Sequence, residues 1–185
     1  MIVLGITGTL GAGKGTIVAY LKEQYHFKHY SVRAYLTAVI EARGLPVNRD
    51  SMVLVANELR AKYAPSFIVD ELYEKAAKEG HPCIIESIRT PGEVESLRAK
   101  KSFRLLAVDA QAEIRYHRIV GRNSATDHVS YEEFIANEQR EMNAVDPHKQ
   151  NLSKCMEMAD YHLDNSENLE HLYAQVETLI KKILP

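Results

Sequence analysis

Short apolar runs and amphipathic segments alternate along the chain. The apolar runs have the length of buried strands and occupy residues 2–7, 27–30, 83–87, 103–108 and 161–163. The segments between them repeat apolar residues at helical spacing. Strands that alternate with helices predict an α/β fold with three α/β/α layers, in which helices cover both faces of a five-stranded parallel sheet.

Glycine, proline and capping residues indicate where the predicted helices begin and end. Gly44 and Gly80 each stand at a helix end, and Pro65 separates two helices. Two Ser/Thr-x-x-Glu capping boxes, at residues 90–93 and 130–133, open further helices. Besides the helix that begins after the first capping box, the predicted helices cover residues 14–25, 32–43, 51–62, 66–78, 112–122, 130–142 and 169–183.

Composition and charge narrow the range of functions. A chain of 185 residues with 45% hydrophobic and 26% charged residues is expected to form one globular domain. The net charge of −2 gives no basic field that would attract DNA, RNA or anionic lipid. No apolar run has the length of a membrane span, and Cys83 and Cys155 match no metal-ligand spacing. We therefore expect a cytoplasmic monomer or homodimer with reduced thiols, whose partners are small molecules rather than membranes or nucleic acids.

Four polar segments are expected to line one cleft. In a parallel α/β sheet, ligands bind beyond the carboxyl ends of the strands. The segments that follow these ends are residues 8–16, 31–33 and 86–89, together with Asp109. Candidate chemistry is therefore expected to converge there.

The sequence GTLGAGKGT, residues 8–16, follows the first predicted strand and opens the first predicted helix. Its spacing is that of a P-loop, in which successive backbone N–H groups and a helix N-terminus bind phosphate. The lysine is expected to reach the β- and γ-phosphates. The alternative is a glycine-rich turn that only caps the helix. The residues expected to hold the nucleotide here are Gly8, Leu10, Gly11, Ala12, Gly13, Lys14, Gly15 and Thr16.

The loop ends in GKGT, with Gly15 between Lys14 and the Thr16 hydroxyl. This ending resembles adenylate kinases and related nucleoside monophosphate kinases. The resemblance implies a P-loop NTPase fold in which residues 1–185 form a single kinase domain. The chain contains no Asn-Lys-x-Asp element for guanine, and no predicted strand ends in the Asp-Glu pair typical of ATPase motors.

A second segment, RIVGR at residues 118–122, is similar to the one that leads into the lid of adenylate kinases. The resemblance implies that Arg118 stacks on the adenine of ATP and that Arg122 reaches phosphate. It also implies a short lid at about residues 123–130. Arg115 shares the predicted helix face of these two arginines, and it is either a third anion ligand or part of a solvated basic face.

A third segment, IIESIRT at residues 84–90, resembles the Asp-Gly-Phe-Pro-Arg strand end of nucleoside monophosphate kinases. There the acid organises magnesium through water and the arginine holds phosphate. The resemblance gives these roles to Glu86 and Arg89, with Thr16 as the second residue of the metal site. This chain departs from the pattern because Glu replaces Asp and the Gly and Pro are absent. The alternative is a structural ion pair of Glu86 with Lys14 or Arg89.

The C-terminal stretch MADYHLDNS, residues 158–166, resembles dephospho-coenzyme A kinases. Its expected role is mostly structural, as a last strand and the cap of the last helix. Asn165 either lies at the adenine edge of the nucleotide or serves only the structure.

The acceptor is expected to bind to a helical part at about residues 31–80. Nucleoside monophosphate kinases carry a segment like Ser-Thr-Gly-Asp-x-Leu-Arg after the second strand, whereas this chain has SVRAYL. Ser31 matches. Arg33 is expected either to bind the acceptor phosphate with Arg89 or to be a surface charge at a helix start, and the second role is disfavoured because a helix N-terminus repels cations. Tyr35 either stacks on an acceptor base or packs in the fold. Three residues of the next helix can face the same pocket: Asn57, Arg60 and Lys62.

These segments predict an ATP- and Mg²⁺-dependent enzyme that transfers the γ-phosphoryl group to a small phosphorylated acceptor, a nucleoside or deoxynucleoside monophosphate. Catalysis would rest on Lys14, Arg89, Arg118 and Arg122, which position and neutralise phosphates. The rival is a dephospho-coenzyme A kinase, whose hydroxyl acceptor needs a base that no Asp soon after the second strand supplies. A rival of another class is an ATP-binding regulatory module or a slow ATPase.

Overall fold

The structure, a computed structural model, describes residues 1–100, 102–122 and 129–184. Five strands form one sheet in the order β2-β3-β1-β4-β5, and all four neighbouring pairs are parallel. The strands are β1 (Val3–Gly8), β2 (Lys28–Ser31), β3 (Cys83–Glu86), β4 (Phe103–Asp109) and β5 (Tyr161–Asp164). The predicted five-stranded parallel sheet is confirmed.

Helices connect consecutive strands, as parallel pairing requires. Among the described residues they are α1 (Lys14–Tyr25), α2 (Val32–Ala42), α3 (Arg49–Lys62), α4 (Phe67–Glu79), α5 (Pro91–Arg98), α6 (Ala112–Gly121), α7 (Tyr131–Met142), α8 (Leu152–Glu157) and α9 (Leu169–Ile183). Both predicted capping boxes form, at the starts of α5 and α7. Helix α3 begins two residues before its predicted start, because the Asn48 side chain accepts a hydrogen bond from Ser51 N and caps it there. The six-residue helix α8 was not predicted.

The core lies on both faces of the sheet. Alternate residues of β4 point to opposite sides, so that Leu105 belongs to one apolar cluster and Leu106 to the other. Helices α2 to α5 pack on the first face, and α1 and α9 pack on the second. The three α/β/α layers follow from this arrangement, since every strand of the sheet's centre is buried on both sides.

Strand register brings the candidate segments to one edge. Glu86 at the end of β3 lies beside Ser31 on β2 and beside Ile6 on β1. The glycine loop begins two residues beyond Ile6, so the loop, the end of β2 and the end of β3 share the carboxyl edge of the sheet.

The short lid predicted at about residues 123–130 lies, apart from Val129 and Ser130, outside the described residues.

Within the described ranges, no helix combines the length and the apolar character needed to cross a bilayer.

Candidate active site

The glycine loop is a rigid turn between β1 and α1. Gly13 has φ +99°, and a Cβ placed on it would lie 2.2 Å from Asn165 Nδ2, so the loop could not close on a larger residue. Gly15 differs, because a Cβ on it would meet no atom within 4 Å. A side chain at position 13 would therefore strain the backbone and collide with Asn165, whereas a Cβ at position 15 would have open space around it.

Asn165 fastens the loop to the end of β5. Its Nδ2 donates to the carbonyl oxygen of Ala12 at 2.8 Å, and the side chain is 3% exposed. This hydrogen bond confirms a structural role for the residue that follows the last strand. It leaves Asn165 Oδ1 without a hydrogen-bond partner among the described residues.

Arg115 is a structural residue, so neither of its two predicted roles, as an anion ligand or as part of a solvated basic face, was correct. Its guanidinium is buried and donates to the carbonyl oxygens of Ala110 and Leu10, at 2.7 and 3.2 Å. It also forms a two-point ion pair with Glu138 of α7. Arg115 therefore supports the glycine loop from behind and ties it to α7. The expectation of a shared arginine face was wrong for this residue, since Arg122 is exposed and Arg115 is not.

Asp109 also belongs to the scaffold. Its carboxylate accepts hydrogen bonds from Thr9 Oγ1 and from the backbone N–H of Ala110. The expectation that it would line the cleft with the other three segments was wrong, because these bonds hold it at the base of the loop and it does not border the cavity described next.

A main cavity of about 680 Å³ opens between the glycine loop, the end of β3 and helices α2 and α3. Most of the predicted site residues lie around it. Those that line it are Leu10, Gly11, Gly13, Lys14, Gly15, Thr16, Ser31, Arg33, Glu86, Arg89 and Arg122. The predicted loop residues Gly8 and Ala12 stand behind it, with Gly8 packed against the Val108 carbonyl and Ala12 fully buried.

A small pocket of about 300 Å³ adjoins the main cavity on the other side of the loop. Arg118 and Asn165 line this pocket, although 47 positions separate them in the sequence. Gly13, Thr16 and Arg122 line both spaces. The two residues that the resemblance placed near adenine are thus brought together, next to the loop and apart from the main cavity.

Lys14 lines the main cavity, and its amine forms no ion pair with a carboxylate in the described part of the chain. Its Nζ donates to the carbonyl oxygens of Gly8 and Thr9, both at 2.7 Å. Burial and the positive charge of Arg89 lower the pKa of Lys14 from about 10.5 to about 7, against the opposite effect of the Glu86 carboxylate. An anion that entered the cavity would restore the charge on this amine.

Glu86 meets His29, a neighbour that the sequence did not indicate. Its Oε2 lies 3.0 Å from His29 Nε2. Burial alone would raise the pKa of Glu86, but the His29 hydrogen bond and the cations of Lys14 and Arg89 together lower it. Glu86 is therefore a carboxylate at neutral pH, near Lys14 but bonded to His29.

The donor set fits one hard cation. Thr16 and Glu86 line the same cavity and offer one hydroxyl and one carboxylate oxygen donor. Mg²⁺ usually takes one or two protein oxygens and keeps several waters beside substrate phosphates. Within residues 1–100, 102–122 and 129–184, no three His, Cys, Asp or Glu side chains cluster to hold a metal by themselves.

Arg89 is held by residues that sequence reasoning missed. Its guanidinium donates to Glu141 Oε2 of α7 and, at 2.8 Å, to Gln150 Oε1. Arg49 of α3 donates to the other oxygen of Glu141 at 2.6 Å. The two arginines hold the pKa of Glu141 below its usual value although burial opposes the shift. No motif could have identified these partners, since they come from separate elements.

Helix α3 turns one face toward the main cavity. The residues of this face recur at helical spacing: Arg49, Met52, Val53, Ala56 and Arg60. Of the three α3 candidates, only Arg60 lines the cavity, while Asn57 and Lys62 do not. Tyr35 packs against the apolar core, which decides between its two predicted roles.

The sequence falls into a known family. A protein-family model described as an AAA domain matches residues 4–146. The chain belongs to this family. A UPF0200 protein of Pyrococcus abyssi is 25% identical over 190 residues, which cover all of this chain and 97% of the relative.

The fold is shared with solved structures. TT1252 from Thermus thermophilus aligns with a TM-score of 0.67 at 21% identity, covering 100% of this chain and 98% of that one. Shikimate kinase from Bacteroides thetaiotaomicron aligns with a TM-score of 0.56 at 15% identity, covering 98% and 97%. The chain therefore has a P-loop kinase-like fold, and the arrangement of its sheet and helices is that of such kinases.

Proposed function

We propose that this protein is a phosphotransferase that moves the γ-phosphoryl group of ATP to a nucleoside or deoxynucleoside monophosphate. The observation that carries the proposal is the charge of the main cavity. Within the described residues it is lined by two carboxylates, Glu86 and Glu141, and by six basic side chains: Lys14, Arg33, Arg49, Arg60, Arg89 and Arg122. Buried Glu93 balances the charge of Arg60, which leaves five basic side chains against two carboxylates. A cleft with this excess of basic groups attracts anionic ligands.

Two phosphates would account for the arrangement of these cations. Lys14 belongs to the loop that binds the donor phosphates in P-loop proteins. Arg33 lies at the start of α2, which follows β2, whereas the loop follows β1. Arg89 follows β3, the strand that lies between these two in the sheet. The donor would occupy the loop and the acceptor phosphate the arginines, so that transfer takes place in line between them.

The adenine of ATP would lie in the small pocket. Arg118 offers a planar guanidinium on which a base can stack, and Asn165 lines the same pocket. Thr16 and, through water, Glu86 would hold Mg²⁺, which would supply positive charge beside the transferring phosphoryl group. The protein itself supplies positions and positive charge from Lys14, Arg89 and Arg122.

A phosphate acceptor fits the acid–base properties of the cavity better than a hydroxyl acceptor does. A phosphate oxygen is already ionised, whereas a hydroxyl must lose a proton to a base. The lowered pKa of Glu86 makes it a weak base, and Glu141 is bonded to two arginines. This weighs against a dephospho-coenzyme A kinase, whose acceptor is a hydroxyl.

The test is ADP formation from Mg-ATP in the presence of single acceptors. The panel holds AMP, CMP, UMP, GMP, IMP, the deoxynucleotides dAMP, dGMP, dCMP and dTMP, and dephospho-coenzyme A. The matching nucleosides, which lack the phosphate, serve as controls. We expect at least one monophosphate to raise the rate well above background, and its nucleoside to have no effect.

The other outcomes separate the rival functions. Stimulation by dephospho-coenzyme A alone would replace the proposed acceptor. Tight binding of ATP with no stimulation by any compound would support a regulatory module. Background hydrolysis without an acceptor effect would support a slow ATPase.

A further inference from the structure

Arg60 is the most deeply buried cation of the main cavity. It is 1% exposed, and it is the largest of the fully buried side chains. Its Nε and Nη2 both donate to Glu93 Oε1, at 3.1 and 2.7 Å. Glu93 is fully buried as well, so the charge of Arg60 is compensated inside the protein.

One nitrogen of the Arg60 guanidinium, Nη1, forms no hydrogen bond within the described residues. Nε and Nη2 form one edge of the planar guanidinium, and Glu93 covers that edge. Nη1 belongs to the opposite side and has no hydrogen-bond partner among the described residues. A buried donor without a partner costs free energy, and such groups in folded proteins commonly await a ligand or an ordered water.

The surroundings of Arg60 indicate what kind of group meets this nitrogen. Arg49 and Arg60 stand at the two ends of the cavity face of α3, roughly 16 Å apart along its axis, and apolar residues fill the interval. These residues are Met52, Val53 and Ala56, with Leu36 of α2 also lining the cavity. Apolar walls with few polar groups are typical of a slot for a ring.

Because Glu93 balances the charge of Arg60, Nη1 is expected to prefer a neutral carbonyl oxygen over a phosphate oxygen. A second phosphate would be drawn to cations that lack a full counter-charge, such as exposed Arg33. The Arg60–Glu93 pair is neutral as a unit, so its free N–H attracts a hydrogen-bond acceptor without favouring a full negative charge. A carbonyl oxygen satisfies it, whereas an amino group would place donor against donor.

We infer that Arg60 Nη1 selects acceptors that present a carbonyl oxygen, rather than an amino group, at C6 of a purine or C4 of a pyrimidine, and so favours keto bases over amino bases. This inference rests on the proposed transfer to a nucleoside monophosphate and names the class of base. Arg60 acts as a specificity-determining residue in the acceptor half of the cavity.

The test compares acceptors that differ at one exocyclic position. IMP and AMP form one pair, with oxygen or an amino group at the same purine carbon, and UMP and CMP form the pyrimidine pair. Measured as kcat/KM of the unaltered protein, the better keto acceptor should exceed its amino partner by about 10²-fold or more, since a donor left unpaired against the wrong substrate discriminates strongly.

Substitution of Arg60 adds an independent measurement. In Arg60→Lys a cation can still pair with Glu93, but the second edge of the guanidinium is gone. We expect the keto-to-amino ratio to fall toward one. The matched control is Arg43→Lys, because Arg43 also pairs with a glutamate, Glu58, at 2.8 Å but lies on the surface. The control should leave the ratio unchanged.

Each outcome has a distinct meaning. An equal or greater rate with the amino members would overturn the inference and leave the proposed function intact. An unchanged ratio in Arg60→Lys, with both rates lowered alike, would show that Arg60 serves only the fold. No stimulation by any monophosphate would remove the proposed function and the inference with it.

Discussion

The two sides of the main cavity are built in different ways. On the side proposed to bind the donor, here called the donor side, nine consecutive residues carry the glycine motif, and hydrogen bonds from Asn165 and Arg115 hold it. On the side proposed to bind the acceptor, here called the acceptor side, side chains come from α2, α3, α7 and the β3–α5 loop, and internal carboxylates pair with Arg49, Arg60 and Arg89. A phosphate bound by backbone atoms requires a motif of glycines, whereas a ligand bound by side chains allows many solutions. The difference explains why one side has a recognisable sequence and the other does not.

Lys14→Ala tests the donor side and should have the largest effect on activity. We expect acceptor-stimulated ADP formation to fall by about 10³-fold, because the donor phosphates lose the cation that neutralises them. The fold should persist, since burial of Lys14 disfavours its charged form. Lys22→Ala, an exposed lysine on the same helix, is the control for both activity and thermal unfolding. Turnover within tenfold of the unaltered protein would contradict the assignment of Lys14.

Two alanine substitutions in the donor loop compare Gly13, where a side chain would collide with a neighbour, with Gly15, where it would not. Gly13→Ala should lower the free energy of unfolding by about 3 kcal/mol, because it combines a left-handed φ with a clash against Asn165. This corresponds to a melting temperature lower by roughly 6–12 °C. Gly15→Ala, in open space inside α1, should change stability by less than about 1 kcal/mol. Equal losses in calorimetry would show that the loop is not fastened as described.

Glu141→Gln tests the acceptor side and should have the smallest effect of the three. At neutral pH we expect the free energy of unfolding to fall by about 1–2 kcal/mol, because Arg49 and Arg89 lose their shared anion. The pKa of Glu141 is lower in the folded protein, so its contribution is present above the unfolded pKa and disappears as the pH falls through the folded one. The difference between variant and parent in urea unfolding should therefore shrink below about pH 4.5. A difference that stays constant with pH would contradict a role for the charge.

The donor side could be predicted because its parts are contiguous. The glycines, Lys14 and Thr16 lie within residues 8–16, and the spacing alone placed the loop between a strand and a helix. The sheet followed from apolar runs for the same reason, since each run is local. Helix α8 escaped prediction because six residues are too few to show helical periodicity.

The acceptor side could be predicted only in part because its contacts are distant in sequence. Arg89 meets Glu141 across 52 positions, and Arg49 meets it across 92. Arg115 illustrates the opposite error: a shared helix face suggested an anion site, but burial against Glu138 and the loop carbonyls cannot be read from a spacing of three residues. Tertiary packing decides which side chain pairs with a given charge, and the local sequence pattern does not indicate it.

Glu93 has a consequence for the order in which the protein folds. Its Oε2 accepts from the backbone N–H groups of Arg89 and Thr90, contacts that span three or four residues. Its Oε1 accepts from Arg60, a contact that spans 33 residues. Local contacts close quickly and long loops close late, so the first turn of α5 can form before α3 docks on it. The acceptor side of the cavity is then among the last parts of the protein to form. Because Glu93 is buried only when Arg60 reaches it, this side becomes complete only when α3 packs against α5.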